Sequence, residues 1–160
     1  MTTAKSYATC LWFDREAEDA ANYYCSVLDD ARITAVSRYG KGAPLPEGTA
    51  LTVAFELGSQ RYLLLNGGPI FKLSEAVSIV VDCETQAEID MLWQRLSEGG
   101  AESRCGWLKD RFGVSWQIVP KDLKRMMSTG EPRRIGAMFQ AFMKMGKPDI
   151  AGLKTAYDAA

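Results

Sequence analysis

The chain has 160 residues, 47% hydrophobic and 24% charged, a balance that suits one soluble domain able to bury a core without disulfides or metal. Nineteen Lys and Arg against 20 Asp and Glu leave a net charge of −1, so no global field favours nucleic acid or an anionic membrane. There is no histidine, which removes the usual neutral-pH acid–base group, every Ser-His-Asp or Cys-His arrangement and every His-containing metal site.

No apolar run approaches the roughly 20 residues that span a bilayer, and the start of the chain does not read as a signal peptide. Cys10, Cys25, Cys83 and Cys105 form no CxxC pair. Scattered reduced thiols in a cytoplasmic protein are the expectation.

Residues 7–13 read as a buried strand, followed by the acidic run Asp14, Glu16, Glu18 and Asp19. These carboxylates suit the positive end of a helix dipole better than an acid–base pair. A helix then places Ala20, Tyr23, Tyr24, Val27 and Leu28 on one face. Strands are predicted at 32–38, 50–57 and 61–65, with Gly58-Ser59 as a tight hairpin turn and 40–48 as a loop. Gly67-Gly68-Pro69 reads as a turn joining two modules.

Sixty-eight residues on, the same order returns. Residues 76–81 are a β-branched run, 82–88 are polar and acidic, and 89–96 are helical. Thr85-Gln86-Ala87-Glu88 has the form of a capping box, and Gly99-Gly100 closes the helix. Strands come next at 101–105, 107–109 and 114–119, with Arg111-Phe112-Gly113 as a turn. Lys109-Asp110-Arg111 reads as a hairpin with local ion pairing, and Cys105 as a structural cysteine at a strand end. Two βαβββ modules, 7–66 and 76–119, within residues 1–120 give an α+β class.

Residues 121–160 change character and read as a helical extension. Pro132 suits a first helical position. Ile135, Met138, Phe139, Phe142 and Met145 make an apolar stripe, Lys147-Pro148 interrupts it, and Ile150, Leu153 and Tyr157 mark a second short helix. The extension is expected to clasp the sheet or a second subunit.

The stretch 105–120, with Cys105-Gly106-Trp107 and Phe112-Gly113-Val114-Ser115-Trp116-Gln117, resembles the closing motif of the PhnB-like family of the vicinal oxygen chelate superfamily. That superfamily includes glyoxalase I, bleomycin-resistance proteins and extradiol dioxygenases. Leu11-Trp12-Phe13 with the helix after it, Leu65-Asn66-Gly67-Gly68-Pro69, the stretch from Ala76 to Trp93, and 143–151 in the extension agree with it. Many such proteins carry the label 3-demethylubiquinone-9 3-methyltransferase. The resemblance implies paired βαβββ modules forming a curved mixed sheet around a cleft, usually as a homodimer.

The resemblance also implies a divalent metal held by inward-facing positions on the first, fourth, fifth and eighth strands. These fall near Thr9 or Cys10, on the face Tyr62, Leu64, Asn66, near Val77 or Ser78, and at Gln117. None is a carboxylate or imidazole, so no metal site and no cofactor are expected. The glycine-rich turn by which Rossmann methyltransferases approach their donor does not follow the first strand.

Trp12, Trp107, Trp116, Tyr62 and Phe71 are numerous enough to line an apolar cleft, with Asn66, Ser78 and Gln117 as orienting polar groups. The expectation is a metal-independent binding protein that takes a small, partly apolar molecule on Trp12, Tyr62, Asn66, Ser78, Trp107 and Gln117. It has no assigned catalytic residue and no nucleic-acid or membrane partner. The alternative is an enzyme of the superfamily (isomerase, lyase or dioxygenase type, or the methyltransferase of the label), with Tyr62 or Cys105 moving a proton.

Overall fold

A computed structural model describes residues 4–160, and these divide into two compact units with the boundary between residues 73 and 74. The first unit runs β1 (Thr9–Phe13), α1 (Ala17–Val27), β2 (Ala31–Arg38), β3 (Ala50–Leu57) and β4 (Gln60–Asn66). Its sheet has the order β1-β4-β3-β2, with β1 and β4 parallel and the other pairs antiparallel. α1 turns Ala17, Ala20, Ala21, Tyr24 and Val27 inward. The sheet answers with Leu11, Phe13, Val53, Phe55 and Leu64, all buried. The strand period of two leaves Cys10, Trp12, Leu63 and Leu65 on the other face. Gly58-Ser59 forms the β3–β4 turn as expected, with Gly58 at φ 53° in the left-handed region that favours glycine.

The second unit repeats the plan: β5 (Ser78–Cys83), α2 (Gln86–Ser97), β6 (Ala101–Glu102), β7 (Trp107–Lys109) and β8 (Ser115–Pro120), in the order β5-β8-β7-β6. α2 buries Ile89, Leu92, Trp93 and Leu96. Beneath it lie Ile79, Cys83, Leu108, Trp116 and Ile118. The capping box forms in a shifted version. The Glu88 N–H donates to Thr85 Oγ1 at 3.2 Å, while the Glu88 carboxylate accepts from the Glu84 N–H at 2.8 Å.

Three expectations change here. Strand β5 starts at Ser78, so Val77 precedes the strand and stands exposed. Strand 101–105 shrinks to two residues, because Cys105 (φ 58°) and Gly106 (φ 78°) turn left-handed together. A side chain on Gly106 would meet the Ile118 carbonyl oxygen at 2.3 Å, so the turn lies flat against β8. Lys109-Asp110-Arg111 is a hairpin, but Lys109 pairs with Glu75 and Arg111 with Glu98, and Asp110 is buried.

The extension forms α3 (Lys121–Thr129), α4 (Pro132–Phe142) and α5 (Ile150–Asp158) as part of the second unit. Leu123, Met138, Phe142 and Leu153 make its core, with Val119, Cys105 and Met145 packed against them. Residues 143–149 are held by main-chain bonds to the 105–106 turn: Cys105 N–H to the Met145 carbonyl (2.8 Å) and Gly106 N–H to the Gly146 carbonyl (2.9 Å). The Gln86 amide grips the entry to α5 from both sides, donating to the Pro148 carbonyl (3.0 Å) and accepting from the Ile150 N–H (2.9 Å). The clasp is therefore onto the second module of the same chain. Among the described residues no helix is long and apolar enough to cross a membrane.

Candidate functional site

Each unit is locked by one buried polar side chain. In the first it is Asn66, 1% exposed, whose Oδ1 accepts from the Ala17 N–H (2.9 Å) and whose Nδ2 donates to the Ala50 carbonyl (2.9 Å). α1 has no side-chain N-cap of its own, since Glu16 makes no capping bond, and Asn66 satisfies one of its free first-turn N–H groups from β4. In the second it is Asp110, 3% exposed, which accepts from the Phe112 N–H (2.9 Å), the Val114 N–H (3.0 Å) and Trp116 Nε1 (2.8 Å).

The face Tyr62, Leu64, Asn66, read from sequence as cleft-facing, is thus the face under α1. Tyr62 lies beside Phe55, with ring centroids 6.4 Å apart, and Phe55 in turn packs on Tyr24. Burial pushes the Tyr62 phenol up from its usual range. Trp12 projects from the opposite face. Its Nε1 donates to the Gly68 carbonyl at 2.8 Å, its ring meets Phe71 edge-on at 4.9 Å, and a Cβ on Gly67 would lie 2.2 Å from the indole. The Gly67-Gly68 pair leads out of β4: Gly67 makes room for that indole, and Gly68 turns the chain at φ 88°.

The second unit carries a cavity of about 970 Å³. Its floor is the sheet face away from α2, where strand alternation turns Val80, Ser115, Gln117, Val119 and Trp107. Its wall comes from the extension: Leu123 and Met127 of α3, Phe139 and Phe142 of α4, and Met143 after it. Val80, Met127, Phe139 and Met143 are each more than two-fifths exposed. Trp107 stands directly across from Gln117 in the β7–β8 pairing. Gln117 donates from Nε2 to Ser78 Oγ at 2.9 Å, leaving its carbonyl oxygen as an acceptor. Lys109 and Lys124 also line the cavity, paired with Glu75 at 2.5 Å and Asp82 at 2.6 Å. Cys105 reaches it too, with its thiol 3.5 Å from the Met143 sulfur. Cys83 lies on the α2 side, its thiol pushed up to about 12 by burial first and then by the Glu88 and Asp82 carboxylates.

Of the residues singled out in the sequence, the structure therefore brings Ser78, Trp107 and Gln117 together. Trp12, Tyr62 and Asn66 lie in the first unit, and Trp116, one of the aromatics expected to line a cleft, is fully buried under α2. The sequence reading missed Ser115, Val80, Met127 and the cavity side of Phe139. Strand parity with Gln117 was the available signal for Ser115.

No group of three or more Cys, Asp or Glu side chains suited to a metal ion occurs among the described residues. Of the positions that the resemblance assigns to a metal, Ser78 and Gln117 are already bonded to each other, Asn66 lies on the α1 side of its sheet with its amide spent on backbone, and Thr9 and Cys10 offer at most a hydroxyl and a thiol. These residues do not make a donor set for a divalent catalytic metal. Neither unit has the doubly wound parallel sheet or the glycine-rich strand–helix turn of a Rossmann methyl-donor site, and β1 enters α1 through Asp14-Arg15-Glu16.

Two βαβββ units with this repeated strand order define a protein of the vicinal oxygen chelate superfamily, of the glyoxalase/bleomycin-resistance fold. The family model described as 3-demethylubiquinone-9 3-methyltransferase matches residues 5–119, and the chain belongs to this PhnB-like family. A PhnB protein from Bacillus cereus, itself described as a putative 3-demethylubiquinone-9 3-methyltransferase, is 34% identical. The alignment covers 72% of this chain and 99% of that one, with a TM-score of 0.67. A Pseudomonas aeruginosa protein is 21% identical over 74% of this chain and 98% of its own, TM-score 0.60. The fosfomycin resistance protein of Mesorhizobium loti is 15% identical over 79% and 99%, TM-score 0.56, a likeness of fold alone. No curated protein matches the chain.

Proposed function

We propose that the protein binds a small, partly apolar molecule without a metal, in the cavity of its second unit. The observation that carries this reading is the pairing of an apolar wall with a short polar floor in a space of about 970 Å³. A site of this size suits a drug-sized molecule, and a few placed polar groups among apolar ones fix a ligand's orientation. Trp107 and Gln117 touch the ligand, and Ser78 holds the Gln117 amide in place. Trp12, Tyr62 and Asn66 serve the architecture of the first unit. Four unpaired cysteines support a reducing, cytoplasmic setting. Exposed Ile70 and Phe71 offer apolar surface for a homodimer.

Native mass spectrometry of freshly purified protein, with metal analysis of the same sample, tests the reading. The expected result is a dimer that carries no stoichiometric metal and retains or takes up a small molecule. Stoichiometric metal whose removal abolishes a turnover would overturn it.

A further inference from the structure

Ser115 sits on the cavity floor in an unusual state. It is 2% exposed, it lines the cavity, and its hydroxyl has no hydrogen-bond partner among protein atoms. Parity with Gln117 turns it to the cavity side of β8, and its neighbours across the sheet are Ser78 and Lys109. Other polar groups nearby are satisfied from within the unit: buried Asp110 takes three donors, and half-buried Ser78 takes the Gln117 amide. A buried hydroxyl left alone is costly, and a molecule seated over it that brought no partner would leave it so.

The charges around the cavity narrow the choice of molecule. Lys109 and Lys124 are already paired with Glu75 and Asp82, while Glu102 at the end of β6 and Arg104 in the β6–β7 connection are exposed. An ionic ligand would have to compete with those pairs or with water, whereas an uncharged oxygen would not. The wall of Met127, Phe139 and Met143 takes an apolar body.

We infer that the ligand is an uncharged, mostly apolar molecule with one hydrogen-bonding oxygen, and that Ser115 selects it over oxygen-free counterparts by bonding to that oxygen. The inference rests on the cavity-binding reading above and names its ligand class. The probes are para-butylphenol, butylbenzene and para-butylbenzoate, titrated calorimetrically into the full chain and into Ser115→Ala. The unaltered chain is expected to bind the phenol about tenfold tighter than the hydrocarbon, and the benzoate most weakly. Ser115→Ala should bring the phenol down to the level of the hydrocarbon and leave the hydrocarbon unchanged. Its melting temperature should not fall, because the substitution deletes an unpartnered group.

An unchanged phenol preference in Ser115→Ala overturns the role of Ser115, as does a lower melting temperature with uniform loss of all three probes. Tightest binding of the benzoate overturns the uncharged class. These outcomes leave the cavity reading standing, whereas binding of none of the three probes by the unaltered chain removes both.

Discussion

The two units share one topology and stabilise it differently. The first is finished within its own repeat, since β2 and β3 are eight residues each and give α1 a wide sheet to cover. The second has only two residues in β6 and three in β7. It makes up the deficit with forty further residues, whose helices add a second small core and wall the other face of the sheet. The repeated unit thus ends with its own fourth strand in the first copy and is built upon by appended helices in the second. The difference lies in the length of the outer strands and in the helices appended after the second repeat.

The sharpest test of this contrast removes the two polar locks. Asp110→Ala strands three donors, two of them buried, and is expected to cost about 4 kcal/mol, read from denaturant midpoints. Asn66→Ala strands one N–H and one carbonyl and should cost about 2 kcal/mol. Equal effects would mean the locks are equivalent and the contrast superficial. Between these two falls Met138→Ala, in the core of the extension, at about 3 kcal/mol. Its hydrogen-exchange signature should be loosened protection in 105–120, with β1 to β4 unaffected.

A smaller effect separates the thiols. Cys25 is exposed in the first unit and should react quickly with a thiol reagent. Cys83, buried and with its pKa pushed up to about 12, should react only on unfolding of the second. Equal rates would mean that α2 opens freely.

The smallest effect is on acid stability. Lys109, Lys121 and Lys147 hold the carboxyls of Glu75, Glu84 and Asp90 below their ordinary range in the second unit, as Arg38 holds Glu18 in the first. A carboxyl depressed in the folded state contributes stability that is present above its unfolded pKa and lost as pH falls through its folded one. Stability should therefore decline below about pH 4.5, more in the second unit, by an amount that ~1 M salt largely removes. A decline that begins at neutral pH would break this account.

Much of the fold was legible because repetition and punctuation agree. The capping box at Thr85, the glycine at 58 and the recurrence of strand, acidic turn and helix each mark a boundary independently. The site was legible only in part. Strand parity groups Tyr62 with Leu64 and Asn66, but it does not say which face the helix will take. The buried leucine at the centre of that set was the hint. Parity also opposes Trp116 to Gln117, so both could not face one cavity. The turn at Cys105 escaped because a non-glycine residue at positive φ has no sequence signature. The wall escaped because a Met/Phe stripe at helical spacing reads equally as core, and here Met138 is core, Phe142 joins core to wall, and Phe139 faces the cavity.

One amide ties the end of the chain to its middle. Gln86 binds the main chain at residues 148 and 150, more than sixty positions downstream. During synthesis every strand and helix of the first unit has emerged by residue 73, but the bonds from the Gln86 side chain to residues 148 and 150 must wait for the tail. The nascent chain therefore presents a completed N-terminal half beside an unfinished one for about half of its synthesis. Arrested chains ending at residue 145 should be cleaved by protease within 74–145 and spared within 1–73, whereas chains ending at 160 are spared throughout.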